Sequence, residues 1–161
     1  MDKLRKNIIK VLTDDCRLST EEISTLVGCT NEQVTEIVTE LEKSGVILKY
    51  SAIVNSNKTD AGVQALIEVK VTPQRAKGFD AIASEIYNYE EVKSVYLMSG
   101  AYDLAVFIEG KSLQDIAMFV TEKLSCIGSV TSTATHFILK KYKNEGVIFE
   151  IDDENRLAIH A

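Results

Sequence analysis

Hydrolytic or group-transfer chemistry needs a nucleophile with a base in hydrogen-bond reach, so the histidines are the first residues to weigh. The chain has two, His136 and His160. His136 falls in a run that reads as a strand, with no cysteine or serine nearby for it to activate, and a lone strand histidine reads as a structural or interface residue. The three cysteines, Cys16, Cys29 and Cys126, are far apart, make no CxxC pair and are odd in number. That spacing argues against a disulfide framework and a zinc ribbon, and for small, buried, reduced side chains. Glu90-Glu91 and Asp152-Asp153-Glu154 are carboxylate runs in turns. Solvation accounts for them better than a metal, whose ligands converge from several elements. Walker, GxGxxG, HExxH and GxSxG patterns are absent. The expectation is no enzyme, no metal and no cofactor.

Two other groups of residues offer recognition chemistry. Thr30-Asn31-Glu32-Gln33-Val34-Thr35-Glu36-Ile37-Val38-Thr39-Glu40 carries no base, and Lys43 is the first. Asn31, Gln33, Thr35 and Thr39 have neutral hydrogen-bonding groups suited to base edges. Glu32, Glu36 and Glu40 recur every four residues, a row of carboxylates on one helical face. Against phosphates that row repels; against bases, a glutamate accepts from cytosine N4. Phosphate contacts would fall to Lys3, Arg5, Lys6, Arg17, Lys43, Lys49 and Lys58 and to helix N-termini, where Ser19, Thr20 and Thr30 stand. The second group is Ser99-Gly100-Ala101-Tyr102-Asp103 with Thr131, Thr133 and Thr135. Glycine lets a backbone approach a ligand closely. A carbonyl or the Asp103 carboxylate suits an ammonium group, and alternate threonines put hydroxyls on one strand face. The same residues equally make a turn and a good strand.

The elements that must hold these residues change character near Ser51–Gly62. Before it the apolar period is helical. Leu4, Ile8, Val11 and Leu12 stripe a first helix, broken at Asp14-Asp15. Ser19 and Glu22 have capping-box spacing, and Ile23, Leu26 and Val27 are the inner face of a second helix that Gly28 ends. Thr30 or Asn31 caps a third, striped by Val34, Ile37, Val38 and Leu41 and stopped by Gly45, with an extended segment from Val46. Short helices around a tight glycine turn read as a helix-turn-helix. After Gly62, Val63 to Val71 alternates as a strand that Pro73 ends. Phe79, Ile82, Ala83 and Ile86 stripe a helix. Val92–Ser99 and Tyr102–Glu109 read as a hairpin turning at Gly100-Ala101, where glycine would accept φ > 0. Leu113, Ile116, Val120 and Leu124 stripe a helix capped by Ser112, and Val130–Lys140 is a last, threonine-rich strand. The order is β-α-β-β-α-β, ferredoxin-like. With both helices on one face, the other needs cover, and Leu66, Val95, Leu97 and Phe107 are its apolar candidates. Beyond Lys143, a hairpin would turn at Asp152–Asn155 between two short apolar pieces.

Composition sets the outer bounds. The 161 residues are 45% apolar and 26% charged, with net charge −6, a globular balance that rules out nucleic-acid binding by bulk positive charge. Up to Gly62 there are eight basic and ten acidic residues, so any DNA reading must come from arrangement. No apolar run reaches the ~20 residues that cross a bilayer, and no signal-peptide pattern opens the chain. The expected location is the cytoplasm, with no membrane partner.

Four stretches, in order, resemble the Lrp/AsnC, or feast/famine, family of transcription regulators. They are Leu41-Glu42-Lys43-Ser44-Gly45-Val46-Ile47, Ser99-Gly100-Ala101-Tyr102-Asp103-Leu104, Val130-Thr131-Ser132-Thr133-Ala134-Thr135 and Lys140-Lys141-Tyr142-Lys143. The resemblance implies an α+β chain: a winged-type helix-turn-helix domain at 1–50, a linker strand or hinge at 51–62, a ferredoxin-like effector and oligomerisation domain at 63–143, and a C-terminal extension at 144–161. It implies double-stranded DNA as partner, read by Ser19, Thr20, Thr30, Asn31, Gln33, Thr35, Glu36, Thr39 and Lys43. It also implies an amino acid or similar effector held between dimers by Ser99, Gly100, Ala101, Tyr102, Asp103, Thr131, Thr133 and Thr135, and a homodimer assembling to an octamer. The acidic third helix departs from the family's usual basic one. The rival reading is therefore a small-molecule-binding or assembly protein whose head has lost DNA recognition.

Overall fold

Asp2, Ser19 and Thr30 each precede a helix and each caps it, which is why the first fifty residues fold as three helices. In this computed structural model, which describes residues 2–59, 62–72 and 78–149, α1 spans Lys3–Asp14, α2 Thr20–Val27 and α3 Asn31–Lys43. The Asp2 carboxylate accepts from the Arg5 amide at 2.8 Å. Ser19 with Glu22, and Thr30 with Gln33, form reciprocal capping boxes, each satisfying two amides that a helix end leaves without partners. Gly28 sits at φ 72, the left-handed conformation that lets the chain turn within three residues into α3. Ile8, Ile23 and Val34 meet in the core, with Leu4, Val11, Leu12, Leu18, Val27, Ile37 and Val38 packed around them. Leu26 lies outside it, exposed. After α3 the segment expected to extend from Val46 joins no ladder, and 51–59 carries only a 3-10 turn at Ser56–Lys58. Among the described residues the linker thus forms no strand. By packing, the chain divides between Ile53 and Val54 into two compact units.

The second unit has β1 (Val63–Val71), α4 (Phe79–Tyr87), β2 (Val92–Leu97), β3 (Leu104–Gly110), α5 (Leu113–Met118) and β4 (Val130–Phe137). The antiparallel sheet runs β2-β3-β1-β4. Ala65, Ile67, Val69 and Val71 of β1 and Leu104, Val106 and Ile108 of β3 pack in one core with Ile82 and Ile86 of α4 and Ile116 of α5. Both helices therefore cover the same face. The register puts Leu66 opposite Phe107 on the other face, but Val95 opposite Val106 and Leu97 opposite Leu104. Only Leu66 and Phe107 of the four apolar candidates thus line the face opposite the helices. Tyr96, edge-on to Phe107 with centroids 6.0 Å apart, joins them.

Four expectations shift. The helix from Leu113 does not keep one period: α5 passes into a π turn at Phe119–Lys123 and a 3-10 turn at Leu124–Cys126. Phe119 is buried in consequence, and Leu113 is 56% exposed. β4 stops at Phe137, three residues short of Lys140. After it, β5 (Lys143–Asn144) and β6 (Val147–Ile148) form a short hairpin of their own that turns at Glu145-Gly146, both with positive φ. Pro73, the turn at Asp152–Asn155 and His160 lie outside the described residues. The cysteines are all free, yet Cys16 and Cys29 are half-buried and Cys126 is exposed. Glu91, expected to be merely solvated, pairs with the Lys123 ammonium, which holds its carboxyl below the usual range. That ammonium also lies 5.3 Å from the Tyr89 ring centroid and 5.8 Å from that of Phe119.

Candidate nucleic-acid and effector sites

In the first unit, the exposed side of α3 is set by its buried residues Val34 and Leu41. Much of its polar equipment is already engaged. Ser19 donates its hydroxyl and its amide to the Glu22 carboxylate at 2.9 and 2.8 Å, and these bonds hold the Glu22 carboxyl below its ordinary value. The Gln33 side-chain carbonyl accepts from the Thr30 amide at 3.1 Å, and the Thr30 hydroxyl accepts from the Gln33 amide. Asn31 Oδ1 is buried without a hydrogen bond. Thr35 and Thr39 donate their hydroxyls to the carbonyls of Asn31 and Thr35, at 2.9 and 2.8 Å. The neutral groups expected to probe base edges are thus largely committed to the helix that carries them. Thr20, Glu36 and Lys43 have no side-chain hydrogen bond or ion pair among the described residues.

The carboxylate row is also altered. Glu40 pairs with Arg5 of α1, which Asp2 holds as well, so one counted phosphate contact is spent and one repulsive charge is neutralised. Both carboxylates push the Arg5 guanidinium above its ordinary value, Glu40 more. Glu42 accepts from the Tyr50 hydroxyl at 2.8 Å. The Glu32 carboxyl is held down by its own amide and by Thr30. The sequence carried no signal for the Arg5–Glu40 pair, since 35 residues separate its members.

In the second unit, β2 and β3 are joined by a six-residue loop, Met98–Asp103, rather than a turn at Gly100-Ala101. Gly100 is not among the glycines with positive φ, and a Cβ there would touch nothing within 4 Å. The Met98 amide closes the loop on the Asp103 carbonyl at 2.8 Å, and the Asp103 amide donates to Val69 O at 3.0 Å. The Asp103 carboxylate accepts from the Val71 amide at 2.9 Å. On the other side of β1, Thr131 donates to Lys70 O at 3.1 Å, at a register shift between Lys70 and Val71 where Thr131 is the extra residue of β4 and breaks that strand's alternation. Asp103 and Thr131 thus bracket the end of β1, where they hold backbone. Thr133 and Thr135 lie opposite Val69 and Ile67, on the helix-covered side. Ser99, Gly100 and Ala101 are exposed, Tyr102 half-buried. His136 faces Glu68 at 3.4 Å on the sheet face opposite the helices. Among the described residues no His/Cys/Asp/Glu group could hold a metal, and no helix is long and apolar enough to cross a membrane.

Comparison with known proteins agrees with this anatomy. Residues 64–148 match the Lrp/AsnC ligand binding domain, and residues 1–47 match a winged helix-turn-helix DNA-binding domain. YugG of Bacillus subtilis, an uncharacterised HTH-type transcriptional regulator, is 49% identical over 94% of this chain and 93% of its own. The HTH-type transcriptional regulator FL11 of Pyrococcus abyssi is 33% identical over 89% of this chain and 92% of its own. Among solved structures, the transcriptional regulator NMB0573 of Neisseria meningitidis, in complex with L-Met, superposes with a TM-score of 0.74 at 24% identity, covering 89% of this chain and 93% of that one. The helix-turn-helix unit, the split β-α-β sheet and these matches together make the chain a member of the Lrp/AsnC family of transcription regulators.

Proposed function

We propose that the chain binds double-stranded DNA through α2, the Gly28 turn and α3, in the cytoplasm and without a reaction of its own. An amino acid or related small molecule bound in the second unit would alter how dimers assemble, and thus how many heads grip one site. The observation that carries this reading is the pairing, in one chain, of a helix-turn-helix whose third helix keeps an exposed polar side with a sheet unit that matches the Lrp/AsnC ligand binding domain. The effector's place is proposed beside Met98–Asp103 and the opening of β4. Asp103 supplies the carboxylate for an α-ammonium group there, and the Neisseria relative's L-Met complex supports the ligand class. Because Asp103 and Thr131 also bind backbone, a ligand at this place would bear directly on the end of β1.

The test is retardation of the chain's own upstream DNA at low salt, repeated with each of the twenty amino acids. Binding that weakens with added salt, and a response to at least one amino acid, are expected. No retarded fragment at low salt would overturn the DNA reading, and the assembly protein would take its place.

A further inference from the structure

The hydrogen bonds along α3 single out one carboxylate. The Glu32 carboxyl is held below its ordinary value by its own amide and by Thr30, Glu40 is paired with Arg5, and Glu42 accepts from the Tyr50 hydroxyl. Glu36 alone of the helix's glutamates has none of these interactions among the described residues. At 100° per residue it stands about 160° round from Val34, opposite the buried stripe. Its neighbours Thr35 and Thr39 are exposed, and both turn their hydroxyls back to the helix carbonyls. Their Cγ2 methyls are left as the outward groups. An open groove runs along this side of the helix, lined by Thr35, Glu36, Thr39, Glu40, Lys43 and Ser44.

We propose that Glu36 reads cytosine in the major groove, flanked by the Thr35 and Thr39 methyls in contact with thymine methyls. This deepens the DNA-binding reading above and rests on it. A carboxylate has only acceptors, so it needs a base-edge donor. Guanine offers N7 and O6 and thymine offers O4, all acceptors that repel it. Adenine has the N6 amino group, but N7 lies beside it against the second carboxylate oxygen. Cytosine presents the N4 amino group with only C5–H beside it on its own ring, so a carboxylate can approach from that side without meeting an acceptor. A single unneutralised negative charge in the groove is costly against any other base, which makes Glu36 a discriminating residue more than an affinity-giving one. Lys43, in the last turn of the same face, is the cation that offsets it toward a phosphate.

The experiment is selection from random duplex DNA with the full-length chain, comparing wild type, Glu36→Gln and Thr39→Ser. The wild type is expected to enrich a motif with one cytosine per half-site, preferred over other bases by about five- to 150-fold. In Glu36→Gln that position is expected to move to adenine, because a glutamine amide matches adenine N6 and N7, while the other positions stay. Thr39→Ser keeps the hydroxyl and removes the methyl. It should erase the wild type's loss of affinity when uracil replaces thymine at the flanking position. A wild-type motif in which no position responds to Glu36→Gln overturns the inference and leaves the DNA-binding reading standing. No enriched motif from the wild type overturns both.

Discussion

Asp103 carries two demands at once. Its amide and carboxylate hold Val69 and Val71 at the end of β1, and the proposed effector asks the same carboxylate for an ammonium contact. The two roles separate by substitution. Asp103→Ala removes a half-buried, charge-assisted hydrogen bond and should cost about 1.5 kcal/mol of the second unit's stability in urea denaturation. Asp103→Asn keeps an acceptor for Val71 while deleting the charge, and should cost less than about 1 kcal/mol. Both variants should lose the amino-acid response. Retention of that response in Asp103→Asn would mean that the carboxylate does not bind the ammonium group. The Ser19 capping box was legible in sequence because both partners lie within one turn, whereas at the third helix Thr30 read as one of two caps and Gln33 did not read as its partner. The Asp103–Val71 bond spans 32 residues, and Arg5–Glu40 spans a similar gap. Residue types announced those side chains, while their partners depended on the completed fold. Within one element, too, Gln33, Thr35 and Thr39 read as free groups for bases when the helix itself engages them.

At the scale of elements, the order β-α-β-β-α-β and the three head helices followed from periodicity and caps, since both are local. Irregularities were the part that period could not carry. A strict helical stripe from Leu113 through Val120 to Leu124 assumes 3.6 residues per turn, but the π turn at Phe119–Lys123 inserts a residue's worth of rotation. Its support is tertiary: Phe119 stacks edge-on against Tyr89 with centroids 5.6 Å apart, and Lys123 bridges those rings and Glu91. The stripe and the structure rank two substitutions oppositely. With Phe119 3% exposed and Leu113 56% exposed, Phe119→Ala should destabilise by about 3–5 kcal/mol. Leu113→Ala should cost under about 1 kcal/mol, as a surface change does. Chemical denaturation of both variants decides; a larger loss for Leu113→Ala would restore the uninterrupted helix. The bulge at Thr131 is of the same kind, an extra residue that alternation alone does not reveal.

The whole molecule presents a four-stranded sheet with helices on one side and Leu66, Tyr96 and Phe107 on the other. Around them lie polar pairs, Glu68 with His136 and Gln64 with Glu109 at 3.4 Å. An apolar centre with a hydrogen-bonding rim is the anatomy of a protein interface. A second copy of the sheet is the occupant that family membership favours, through a two-fold contact that sets two heads for a two-fold DNA site. Light scattering at micromolar concentration should therefore give a dimer or a multiple of it. Leu66→Asp would bury an unpaired carboxylate at that contact. The expected penalty is at least about 3 kcal/mol, or more than a hundredfold in dimer dissociation. Because Leu66 points away from the helix-covered core, circular dichroism of the variant should stay near that of the wild type. Its DNA affinity should fall along with the dimer, since a lone head loses the local concentration that the first bound head provides to the second. A wild-type monomer would remove the interface altogether. An unchanged dimer in Leu66→Asp would assign dimerisation to another surface and leave this face of the sheet without a role.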